Sequence, residues 1–143
     1  MADGLVDGRD VGVDLALRIL GHVRETAAGM GLALAGVVAD RGGHVVASCR
    51  MDGAPLGALP IATDKAYTAA LWGMRTGDMA EASLPGGGDW GFANTVGGRM
   101  IVFAGGVPIE ADGEVVGALG VSGGLAEEDE RCALAALESA GLG

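Results

Sequence analysis

Lys65 is the only lysine in the chain; every other basic side chain is an arginine. A lone lysine on a partly buried helical face has two uses. It holds an anion or works as an acid–base group with a lowered pKa, or it pairs with a carboxylate while its stem lies along apolar surface. Arg50 and Asp52 form a second constellation. On a persisting strand their side chains point the same way, so they either pair and order the loop behind them or flank a polar ligand whose carboxylate the arginine grips. The imidazoles are His22 and His44. His22 follows Ile19 by three residues and falls on or beside the buried face of a helix, as a core or interface residue or as a metal or haem ligand.

The fourth candidate is Ser122-Gly123-Gly124, where a strand turns into a helix. It resembles a nucleophile elbow only loosely. With two histidines and no evident third partner, a Ser-His-Asp hydrolase is not the expectation. Its amides either hold an anion or simply begin the helix, and the acidic run Glu127–Glu130 opposes an anion there. No Walker loop or His-Glu-x-x-His motif occurs.

These residues need a scaffold. Val11, Leu15, Ile19 and Val23 recur every four residues and predict a helix from Asp10, its N-cap, to about Gly29. Residues 32–39 and 44–50 read as a hairpin around Asp40-Arg41-Gly42-Gly43. Pro60 suits the first turn of a helix over 61–74, whose stripe Ala62, Ala66, Ala69 and Gly73 lets it lie close on a sheet. Thr76 reads as the cap of a short helix to Ser83. Residues 84–98 are irregular, with Pro85, three glycines and nearby aromatics, and suggest a lid or an oligomer contact.

A strand over 100–103 follows, then the hairpin that the second half is built on. Asp112-Gly113 is its tight turn, and an apolar strand runs from Glu114 to Val121. Its small residues leave room for backbone or a ligand to approach closely, which makes Gly105, Gly106, Pro108 and Ser122 ligand-binding candidates. A helix over 126–140 ends the chain. Strands joined by tight turns predict an antiparallel sheet with the long terminal helices packed on it, an α+β class.

At 143 residues the chain predicts one domain over 10–143 behind a frayed segment 1–9. Nineteen acidic against nine basic side chains give a net charge of −10, which disfavours nucleic acid and anionic membranes as partners. No stretch is apolar enough to span a membrane, and the acidic N-terminus is unlike a signal peptide. Cys49 and Cys132 lack ligand-type spacing and read as buried free thiols in a reducing cytoplasm. No metal site is expected.

Five motifs carry a resemblance over residues 10–142: Val37–Ala47, Arg50–Ala54, Lys65–Ala70, Gly105–Ile109, and Gly117–Gly124 with Asp129 after it. Together they resemble the GlcG/HbpS-type haem-binding family, related to the C-terminal domain of PduO-type cobalamin adenosyltransferases. The resemblance implies a profilin-like, PAS-related α/β/α fold with a five-stranded antiparallel sheet. It also implies homo-oligomers, often octamers, and a small-molecule ligand. Haem or another tetrapyrrole is the first expectation, with His22 and His44 as the available ligands; His44 sits at a hairpin end where a neighbouring subunit can reach it. A second is a cofactor-independent isomerase, cyclase or lyase, using Lys65, Arg50, Asp52, Tyr67, Arg99 and Glu128 for acid–base work and anion holding. A third is a non-catalytic oligomeric scaffold or sensor.

Overall fold

The computed structural model describes residues 3–142. Strands β1 (Ala35–Asp40) and β4 (Glu114–Ser122) are buried along nearly their whole length, as strands covered on both faces must be. They lie side by side at the centre of an antiparallel sheet. β2 (Val45–Arg50) and β3 (Gly106–Ala111) form its edges, in the order β2-β1-β4-β3. Alternation assigns the faces. Ala35, Val37, Ala39 and Ala118 meet helix α2 (Ala58–Trp72), while Val38, Leu119 and Val121 meet α1 (Val13–Gly29) and α3 (Ala126–Ser139).

The class is α+β as expected, with four strands in place of five. Met100–Phe103 is the missing strand. Its apolar run suits a strand, yet its backbone is held from the side by two threonines. The Ile101 amide donates to Thr68 Oγ1 at 3.0 Å, and Thr76 Oγ1 donates to the Phe103 carbonyl at 2.6 Å while accepting from the Gly106 amide. With those groups satisfied by hydroxyls, no ladder is needed. Thr76 is therefore a tether inside a short 3₁₀ turn (Thr76–Met79), not a cap.

Asp10 is also reassigned. Helix α1 begins at Val13 with Gly12 as its uncapped N-cap, and Asp10 instead accepts the Arg41 amide at 2.8 Å, tying the N-terminal segment to the β1–β2 turn. Of the segment 1–9, residues 1 and 2 lie outside the described ones, and Arg9 pairs with the hairpin turn residue Asp112 at 3.0 Å. Helix α2 starts at Ala58, with Pro60 in its first turn, and stops at Gly73 in the left-handed conformation (φ 62°). Its alanine stripe is fully buried against the sheet. Both cysteines are free, Cys132 buried as expected and Cys49 only half-buried, because it lies on the edge strand β2. Burial, helped by the nearby Asp129 charge, pushes the Cys132 thiol up to about 11. No helix among the described residues is long and apolar enough to cross a membrane.

Candidate functional site

Lys65 extends beside the alanine stripe of α2 and ends in the protein interior, with no solvent exposure. Its Nζ donates to Asp129 Oδ2 and to the Val121 carbonyl, each at 2.9 Å, and stands 5.1 Å from the Phe103 ring centroid. Gly105 (φ 132°) makes the passage, since a Cβ there would fall 2.6 Å from the Val121 oxygen and 2.8 Å from Lys65 Cδ. Burial lowers the Lys65 pKa and raises that of Asp129, and their mutual attraction opposes both shifts. Of the two readings of Lys65, the structure shows the carboxylate pair.

The anion reading of Ser122-Gly123-Gly124 closes for a related reason. The Gly124 amide donates to Asp129 Oδ1 at 2.9 Å and the Leu125 amide to Glu128 Oε1 at 2.8 Å, so the start of α3 is occupied by its own carboxylates. Glu128 is thus a cap. Gly120-Val121-Ser122-Gly123-Gly124 does match Gly-x-Ser-x-Gly in letters, but Ser122 is the buried last residue of β4, paired with Ala35, and not the exposed apex of a strained turn. Gly105 and Gly106 make room for backbone and for the Lys65 stem, leaving no ligand space. Pro108 borders an open groove with Arg75, Glu110 and Leu134.

Arg50 and Asp52 do not converge on Lys65. They border a shallow polar recess with Arg24 of α1 and form no ion pair with each other. The Arg50–Asp52 ion pair is thus not formed: β2 ends at Arg50, and Asp52 already belongs to the turn.

A different group of residues assembles where the β1–β2 turn rests on α2. Gly43 takes a left-handed conformation (φ 81°), and a Cβ there would meet Tyr67 Cδ1 at 2.5 Å and Leu71 Cδ1 at 2.8 Å. Next to it, His44 Nδ1 lies 3.1 and 3.2 Å from the two carboxylate oxygens of Asp40. The carboxylate can only accept, so Nδ1 carries the hydrogen and the lone pair of the neutral ring sits on Nε2. The His44 side chain is 80% exposed. Asp40 also accepts the Gly42 and His44 amides at 2.9 and 3.0 Å. Partial burial acts to raise its pKa, but these hydrogen bonds prevail and hold it below the usual carboxylate range.

On the outer side of α2 the Arg99 guanidinium stacks on the Tyr67 ring, 3.6 Å from its centroid, and its Nε donates to Asp64 Oδ1 at 2.9 Å. The terminal nitrogens of Arg99 have no carboxylate partner among the described residues. Tyr67 thus lies against the β1–β2 turn that carries His44, with the Arg99 guanidinium stacked on its ring. His22 is elsewhere, on α1, with Nδ1 3.6 Å from Glu25. No cluster of three metal-ligating side chains exists among the described residues. Asp40 and Asp64, which orient the site, are absent from the expected set. Asp40 had a signal, as the first residue of a Gly-rich turn four positions before a histidine; Asp64 meets Arg99 across 35 residues and had none.

The lowered Asp40 pKa has a measurable consequence. A group with a depressed folded pKa stabilises the fold above its unfolded value near 3.8 and loses that contribution as pH falls through the folded value. Asp40→Asn is expected to reduce stability on the order of 1 kcal/mol at neutral pH, with the gap to wild type closing below pH ~4. Urea unfolding at a series of pH values reads it; a gap that persists unchanged at the acid end rules out the charge as its source.

Residues 11–138 match the family model described as haem degrading protein HbpS-like. The chain belongs to the HbpS-like family. An uncharacterised 15.0 kDa protein in the dhaT-dhaS intergenic region of Citrobacter freundii is 39% identical over 101 residues, which is 71% of each chain. The Klebsiella pneumoniae protein ORFY superposes with a TM-score of 0.95 at 30% identity, covering 99% of this chain and 97% of that one. The PduOC:Heme complex is similar at TM-score 0.89 and 25% identity, covering 94% of this chain and 97% of that one. The HbpS-like chain thus shares its overall fold with these two solved structures.

Proposed function

We propose that this HbpS-like chain binds haem or a closely related tetrapyrrole on the face formed by the β1–β2 turn and α2, with His44 as the axial ligand. One observation carries the reading. Asp40 takes the Nδ1 hydrogen of His44 and leaves Nε2, the ligating nitrogen, aimed away from its partner on an exposed ring. A carboxylate behind a histidine fixes the tautomer and raises the basicity of the donor. Support also comes from the family description and from the haem complex of a structural relative.

Arg99 supplies the second anchor. A guanidinium pinned by Asp64 and flattened on Tyr67 is pre-set to meet a carboxylate, the group a tetrapyrrole carries at its polar edge. Bound haem supplies the redox and oxygen chemistry, tuned by its axial ligand. His44, Val45 and Leu71 are exposed in the single chain, so a second copy laid over this face would shield the ligand from water. A homo-oligomer with a small-molecule ligand between subunits follows from this reading.

Haemin titration followed at the Soret band tests it. His44→Ala is expected to remove the histidine-ligated spectrum, His22→Ala to keep it, and Asp40→Asn to weaken binding by about tenfold or more. An unchanged spectrum in His44→Ala would overturn the assignment.

A further inference from the structure

A second recess opens at the C-terminal end of α2, roofed by the irregular stretch after the 3₁₀ turn. It encloses about 270 Å³. Trp72, Phe92, Met74 and Met79 give it an apolar lining, and Asp78 and Asp89 supply its charge. We propose that this recess binds a small organic cation of the alkylammonium class. The site is separate from the His44 face and does not depend on the haem reading.

The walls are built, not incidental. Trp72 and Phe92 pack edge to face, 5.5 Å between centroids at 63°, and Trp72 Nε1 donates to Met100 Sδ at 3.1 Å, which fixes the indole. The roof is closed by its own backbone. The Asp89 amide donates to the Ala82 carbonyl and the Phe92 amide to the Asp89 carbonyl, each at 2.9 Å. A Cβ on Gly87 would collide with the Ala82 carbonyl, so that turn requires glycine. The irregular glycine-rich stretch therefore has a defined shape that sets Asp89 and Phe92 opposite Trp72.

Charge then selects the ligand. No basic residue lines the recess, and neither Asp78 nor Asp89 forms an ion pair among the described residues. Arg75 lies in the adjoining groove, which shares Asp78, without bridging to it. Two carboxylates beside indole, phenyl and thioether surfaces offer an ammonium both Coulomb attraction and the negative face of a π-system. An anion is repelled, and a neutral molecule gains only the apolar contact. The net charge of −10 adds long-range attraction of the same sign.

Choline and its neutral carbon isostere 3,3-dimethylbutan-1-ol are the probes, titrated into the full chain by calorimetry. A Trp90→Phe background leaves Trp72 as the single tryptophan, whose emission is followed alongside. Choline is expected to bind about tenfold more tightly than the isostere. Asp78→Asn combined with Asp89→Asn is expected to weaken choline about tenfold and leave the isostere unmoved. Both aspartates are exposed, so that variant keeps its fold, checked by circular dichroism. Equal affinity for the two probes, unaltered choline binding in the double variant, or no binding of choline would each overturn the proposal. Haemin titration of the same variant should match wild type, which separates this site from the His44 face.

Discussion

Replacing Lys65 with methionine is expected to destabilise the fold by about 3–5 kcal/mol. The length and volume of the side chain are kept, so the loss comes from what remains. Asp129 would be left 2% exposed with one amide, that of Gly124, and no cation. An unpaired buried carboxylate either stays charged in a poor dielectric or takes up a proton, and both are costly. The pair itself is not a large source of stability, because burial works against both charges, lowering the lysine pKa and raising the aspartate pKa. A second substitution should therefore rescue the first. Lys65→Met with Asp129→Asn removes both charges and keeps an acceptor for the Gly124 amide, and more than half the loss should return. Urea unfolding of the four proteins measures this directly. A Lys65→Met protein within about 1 kcal/mol of wild type would mean that Lys65 is not holding the interior together.

That result bears on function as well as stability. A lysine used for proton transfer or anion binding must reach a cavity, and here the ammonium is consumed by Asp129, Val121 and the Phe103 ring. The scarcity of lysine marked a special residue correctly and left its use open. Residue type and spacing made Lys65 visible, whereas its partner lies 64 positions away on a helix that is merely acidic at its start. The same limit applies to Arg50 and Asp52, whose i,i+2 spacing does not reveal that Arg24 of α1 borders the same recess. Local signals did better. Asp112-Gly113, the Asp40–Gly43 turn and the alanine stripe of α2 each produced the element they predicted. The fifth strand failed because strand propensity in Met100–Phe103 does not reveal that Thr68 of α2 and Thr76 of the 3₁₀ turn will satisfy backbone groups there first.

His44 lies between these cases. Its position at a hairpin end was legible, and the carboxylate that orients it is four residues earlier in the same turn. Tyr67, with Arg99 stacked on it, meets the turn that carries His44 only because α2 crosses the sheet so closely that the turn settles on Tyr67. The closeness of α2 is thus a condition for the proposed site, and it depends on glycines rather than on any polar residue.

Gly120→Ala is accordingly expected to cost about 3 kcal/mol or more, the upper end for an overpacked interior. Gly120 faces α2 from the centre of β4 and pairs across the ladder with Gly106. A Cβ on Gly120 would fall inside the Ala62 carbonyl oxygen and 2.6 Å from the Ala66 amide nitrogen, and one on Gly106 would lie 2.5 Å from the Lys65 carbonyl oxygen. Both obstacles are helix backbone, which cannot change rotamer, so α2 must lift. Gly21→Ala is the control, since a Cβ at that position in α1 meets nothing within 4 Å and should gain roughly 0.5–1 kcal/mol from helix propensity. Lifting α2 also draws Lys65 away from Asp129. The Gly120→Ala and Lys65→Met losses should then overlap, with a combined cost below their sum by about 1 kcal/mol or more. A double-mutant cycle from unfolding midpoints reads the coupling. Strict additivity would mean that the helix adjusts locally at Ala62 and that the seat of α2 and the buried pair are independent.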